Sequence, residues 1–61
     1  MAGFPIQICA WCPECNKHTV HKIVGEHGPY LVYECVECGR HLLIPKGDAF
    51  KFTDFGPCTQ P

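Results

Sequence analysis

Six cysteines and four histidines in 61 residues are the side chains best equipped for chemistry. Four of the cysteines form two C-x-x-C pairs, Cys12 with Cys15 and Cys35 with Cys38. Each pair can wrap two sulfurs around one side of an ion at metal–sulfur distances of about 2.3 Å, and two facing pairs complete a tetrahedral shell. The 19 residues between Cys15 and Cys35 are close to the tetracysteine spacing expected for zinc. The sequence therefore predicts one metal ion held by Cys12, Cys15, Cys35 and Cys38. Zn2+, one per chain, is the expected cofactor, because closed four-sulfur sites without redox duty usually hold zinc. The sulfurs by themselves leave iron open, and the bland alternative is a set of buried free thiols.

The two pairs lie inside an internal repeat. CPECNKH (12–18) and CVECGRH (35–41) share the pattern C-x-E-C-[N/G]-[K/R]-H at an offset of 23 residues. After the second cysteine comes Asn16 in one copy and Gly39 in the other. These residue types tolerate positive φ most cheaply, as a tight thiolate-binding turn often requires. Lys17 and Arg40 follow. Four thiolates on a divalent ion leave a formal charge of about −2, which nearby cations would offset while favouring the metallated state. The two residues read equally well as solvated surface cations, since exposed ion pairs contribute only about 0–1 kcal/mol.

Two cysteines are left over. Cys9 opens a second frame, Cys9 with Cys12, but Pro13 and the match to the second copy favour Cys12 with Cys15. Free Cys behaves as a small hydrophobe, so Cys9 and Cys58 read first as ordinary thiols. A Cys9–Cys58 disulfide and a second metal site using a histidine are the alternatives. His18 and His41, related by the repeat, are expected to pack beside the metal site or face solvent, because four cysteines already close the shell. His21 has no assigned role, and His27 falls in a turn. No Ser–His–Asp set, carboxylate pair or phosphate loop stands out, and nothing suggests an open metal position, so an enzyme is the least expected class.

The elements that must position these residues are short and extended. FPIQICAW (4–11) suits an extended lead-in. HTVHKIV (18–24) and YLVYECV (30–36) are rich in β-formers and flank GEHGP (25–29), a turn. HLLIP (41–45) reads as a third strand. AFKFTDF (49–55) would place Phe50 and Phe52 on one face of a possible fourth. GPCTQP reads as a loose tail except at Cys58, and no helix longer than a turn is expected. Trp11, Tyr30, Tyr33, Phe50, Phe52 and Phe55 are expected to form the core rather than a base-stacking platform. The fold class is thus a small all-β, metal-stabilised domain with two knuckles, a β-hairpin and a third strand. It occupies residues 1–61, with its core over 9–55 and looser termini.

Size explains why a metal is needed. A chain this short buries only about 60% of the surface it exposes when unfolded, so its core is marginal. The hydrophobic fraction of 46% includes the cysteines, which leaves few Ile, Val, Leu and Phe residues. The start, MAGFPIQICAW, lacks a basic n-region and a long apolar stretch, and no run reaches membrane-span length. The expectation is a cytoplasmic chain with no membrane and no small-molecule substrate. Its paired thiols are then metal ligands before they are disulfides.

The order of knuckle, hairpin, knuckle and strand over residues 12–45 resembles a zinc ribbon. CPECNKHTVHKI (12–23) also resembles the zinc-binding stretch of the ribosomal protein L44e family, which reads roughly C-x-x-C-x-K-H-x-x-H-K-V. L44e proteins are longer and strongly basic, whereas this chain has five Lys and Arg against six Asp and Glu. Rubredoxins share the paired knuckles with a longer gap. The resemblance implies a module that docks on nucleic acid or on a protein of the transcription or translation machinery, with a regulatory role. A protein–protein adaptor and a rubredoxin-type iron carrier are the alternatives. A formal net charge of −1 confines any nucleic-acid contact to a local patch. The candidates are Lys17, Lys22, Arg40, Lys46 and Lys51, with some of His18, His21 and His41.

Overall fold

A computed structural model describes residues 3–58. The expected looseness at 59–61 falls outside them. Four antiparallel strands follow one another across a single curled sheet in the order β1-β2-β3-β4: β1 Gln7–Cys12, β2 Lys17–His27, β3 Tyr30–Cys35 and β4 His41–Pro45. The lead-in is therefore a full strand that pairs with β2 from Gln7↔Lys22 to Cys12↔Lys17. In such a meander the β1–β2 and β3–β4 connections fall at one end of the sheet and the β2–β3 turn at the other. Both knuckles are those first two connections. They start about two strand spacings apart, roughly 10 Å, so the curl of the sheet must bring them together.

The hairpin turn is Gly28-Pro29 between the paired residues His27 and Tyr30. Gly28 has φ 60°, as a primed hairpin turn needs at its first central position. Pairing with β3 carries β2 to His27, past the predicted limit at 24, with a register shift between Ile23 and Gly25.

Alternation along the strands sorts the side chains onto two faces. One face carries Ile8 and Ala10 of β1, Leu31 and Tyr33 of β3, and Ile44 of β4, all buried. Ala49, Phe4, Ile23, Leu42 and Phe52 pack against them. The Tyr33 hydroxyl donates to the Pro5 carbonyl at 2.7 Å. The aromatic core expected from the sequence needs correction. Tyr33 alone of the six aromatics is fully buried, while Trp11, Tyr30 and Phe50 are exposed. Strand parity sends Trp11 and Tyr30 to the face that the chain leaves largely uncovered.

The possible fourth strand over 49–55 is also corrected. Residues Lys46–Phe52 form a 3-10 helix that crosses the core face, and a second short one spans Gly56–Cys58. A three-residue period aligns Ala49 with Phe52. Ala49 is buried and Phe52 half-buried, whereas Phe50, predicted to share a face with Phe52, points out. The same period brings Lys51 Nζ within 3.3 Å of Asp48.

The free-thiol reading of Cys9 and Cys58 is corrected as well: they form a disulfide. Cys9 lies on the opposite face of β1 from Ile8 and Ala10, so the chain covers one face with residues 46–52 and then ties its tail to the other. Among the described residues, no helix is long and apolar enough to cross a membrane.

Candidate metal centre

Each knuckle is a loop of the same construction. The Asn16 N–H donates to the Cys12 carbonyl at 2.8 Å, and the Gly39 N–H donates to the Cys35 carbonyl at 3.0 Å. Asn16 has φ 56° and Gly39 φ 81°, the left-handed turn anticipated for both positions. The stems match too: Cys12 is paired with Lys17 across β1–β2, and the Cys35 N–H donates to the Arg40 carbonyl at 2.8 Å. Equivalent residues of the repeat thus fold equivalently, and the meander sets them at one end of the sheet.

The four knuckle sulfurs converge. Their Sγ atoms all lie within 4.8 Å of one another. Cys12 and Cys38 are 3.3 Å apart, and Cys15 and Cys35 are 3.9 Å apart. A regular tetrahedron with metal–sulfur bonds of about 2.3 Å has edges of about 3.8 Å, so the cluster is the right size to hold a metal ion. Cys12 and Cys35 are buried, Cys15 is half-buried and Cys38 is exposed. Cys9 is not part of this group. Three residues before Cys12 on the same strand, it faces the other way toward Cys58.

Protonation in the metal-free chain follows from the crowding. Burial and contacts with Cys12, Cys38 and Cys35 push the Cys15 thiol up to about 12. Burial also works against ionising Cys35, but the Thr19 hydroxyl and the Cys38 and Glu37 N–H groups overcome it and bring that thiol down to about 6. The Arg40 N–H favours the Cys38 thiolate, yet contact with Cys12 and burial leave it raised. Four adjacent thiols cannot all ionise without a cation between them, and a divalent ion removes that obstacle while displacing their protons.

Side chains that the repeat does not single out as partners of the sulfurs also surround the cluster. The Thr19 hydroxyl is hydrogen-bonded with Cys35 Sγ at 3.1 Å, and the Glu37 N–H approaches the same sulfur at 3.4 Å. His21 is buried, with Nδ1 3.0 Å from the Thr19 carbonyl oxygen. Thr19 and His21 share the β2 face that looks toward Cys12 and Cys35, and strand parity was the signal that could have found them. Glu14 and Glu37, the third residues of the two copies, act across the repeat. Lys17 Nζ lies 3.3 Å from Glu37, and Arg40 lies 3.9 Å from Glu14. The cation of each knuckle thus pairs with the carboxylate of the other.

The remaining candidates for nucleic-acid contact are spread out. Lys46 Nζ is 2.8 Å from Glu26, which holds the Glu26 carboxyl below its usual range. Lys51 is engaged by Asp48. Lys22 has no ion-pair partner among the described residues. His18 meets Trp11 edge to face at 5.4 Å between ring centroids, His41 lies 3.5 Å from Glu34, and His27 is exposed. Compared with known proteins, the chain matches no family model, no curated protein and no solved structure, so the likeness to L44e rests on residues 12–23 alone.

Proposed function

We propose that the chain is a non-catalytic zinc-binding module in which Cys12, Cys15, Cys35 and Cys38 hold one structural Zn2+, and that the domain so formed is an adaptor for a protein partner. The convergence of four sulfurs within 4.8 Å carries this reading. Four sulfurs fill a tetrahedral shell, which leaves no position for the activated water or substrate of a catalytic zinc. When bound, the ion supplies the cross-link between the knuckles. The chain's own part is to offer ligands from two preformed loops and to steady Cys35 with Thr19 and Glu37.

The pairing of the cations favours a protein over nucleic acid as partner. Lys17, Arg40, Lys46 and Lys51 each have a carboxylate within 4.0 Å. Phosphate binding would have to break those pairs with little net positive charge to draw the polyanion in. Native mass spectrometry of the purified chain is expected to find one zinc, and two tightly held ions would sink the one-site reading. A red, iron-loaded native sample would favour the electron carrier instead. Capture from the native host with and without nucleases tests the partner class. Partners that survive nuclease support the adaptor, and partners lost with it return the module to nucleic acid.

A further inference from the structure

A cleft of about 570 Å³ opens beside the first knuckle, lined by Trp11, Asn16, Lys17, His18 and Glu37 together with Pro57 and Cys58 of the tail. That volume falls in the range of small-ligand sites. Trp11 is 50% exposed, a large apolar surface for a marginal domain to leave open. His18 meets it in a T-shaped contact at an interplanar angle of 79°. The Cys9–Cys58 bond holds the tail wall in place.

The charge around this cleft selects its occupant. Glu14 and Glu37 are balanced by Arg40 and Lys17. The four thiolates on a divalent ion then leave about −2 at the knuckles, a step that rests on the metal reading above. Such a field repels phosphate and attracts a cation. The indole is the best side-chain ring for a cation to lie on. Lys17 Nζ approaches Glu37 through Oε1, so Oε2 can still accept from an incoming donor. A planar guanidinium satisfies both features, stacking on the ring while its fork of N–H groups reaches a carboxylate. We propose that this cleft receives an arginine side chain of a partner protein, with its guanidinium on Trp11 and donating to Glu37.

Trp11 is the chain's single tryptophan and therefore reports on its own site. The zinc-loaded chain is titrated with a capped peptide carrying two arginines and with its citrulline counterpart, which keeps the shape and loses the charge. Expected is a saturable change in Trp11 fluorescence with arginine and none with citrulline. Glu37→Gln should weaken binding about tenfold, and Trp11→Phe, read by calorimetry, about threefold. Lys17→Ala should strengthen binding about twofold to threefold, because it removes a competing cation. Equal binding of citrulline, or weakening by Lys17→Ala, overturns the proposal. So does quenching by oligouridylate in place of the arginine peptide, which would give the cleft to nucleic acid. A chain that binds the arginine peptide but no zinc keeps the cleft and loses the metal reading. A zinc-loaded chain indifferent to arginine loses the cleft alone.

Discussion

At the knuckle end of the sheet, four sulfurs meet within 4.8 Å and two reciprocal ion pairs cross between the loops that carry them. Toward the hairpin end, Leu31, Tyr33 and Ile44 of the sheet pack with Ala49, the buried residue of the 3-10 helix, with scarcely a polar group among them. One end is organised by crowded thiols that cannot all ionise without a cation between them, the other by apolar burial that needs no ligand. Neither is sufficient for a chain this short. The apolar cluster is thin, and uncompensated thiolates work against closure. β2 and β3 run from one end to the other, so loss of either should be felt along the whole sheet. The tail disulfide is a third tie, on the opposite face from the apolar cluster.

The largest effect should come from the knuckle end. Chelating the metal, or replacing Cys12, Cys15, Cys35 or Cys38 with Ser, removes on the order of 10–16 kcal/mol of apparent binding energy. The strand signal in circular dichroism should collapse, and native mass spectrometry should show the ion gone. Persistent hydrogen-exchange protection of Leu31 and Tyr33 after chelation would mean that the two ends fold independently.

The tail tie ranks next. The disulfide spans a sequence separation of 49 residues, for which chain entropy suggests about 4 kcal/mol. Cys9→Ser or Cys58→Ser should lower stability by roughly that amount while metal content stays the same. Loss of the metal in Cys9→Ser would erase the distinction drawn here between the two faces of β1.

A smaller effect probes the apolar end alone. Burial raises the Tyr33 hydroxyl above its ordinary value near 10. A raised pKa of this kind contributes stability that is complete below pH 10 and is lost as the pH climbs through the raised value. Tyr33→Phe should cost about 1 kcal/mol at neutral pH through the lost bond to Pro5. It should also flatten the alkaline limb of a stability profile, and an unchanged limb would remove Tyr33 from it.

The smallest effect concerns the crossing ion pairs, which are half-exposed. Lys17→Glu should cost under about 1 kcal/mol, and adding Glu37→Lys should restore part of it. A double-mutant cycle with no coupling would show that the pairs fill space without joining the knuckles.

The cluster of four cysteines that could hold a metal was legible because a C-x-x-C loop is local. Spacing, the positive-φ residue and the turn are all written within six residues, and two copies of one pattern fold alike. The hairpin and β4 were legible for the same reason, since runs of β-formers between turn residues need no distant partner to be recognised. Residues 49–55 misled because alternation and a three-residue period both fit a short run of phenylalanines. Only the core beneath them chose the period that turns Ala49 and Phe52 toward it together. The repeat displays Glu14 and Glu37, Lys17 and Arg40, yet it cannot say whether each cation pairs within its own copy or across. The curl of the sheet set that, by laying one knuckle against the other. The sequence offered a Cys9–Cys58 bond only as one alternative to free thiols and could not select it, because the bond depends on a tail crossing to the far face of β1. Short-range preferences are a property of the chain and can be read from it, while meetings between distant segments exist only once the sheet has curled and the tail has closed over it.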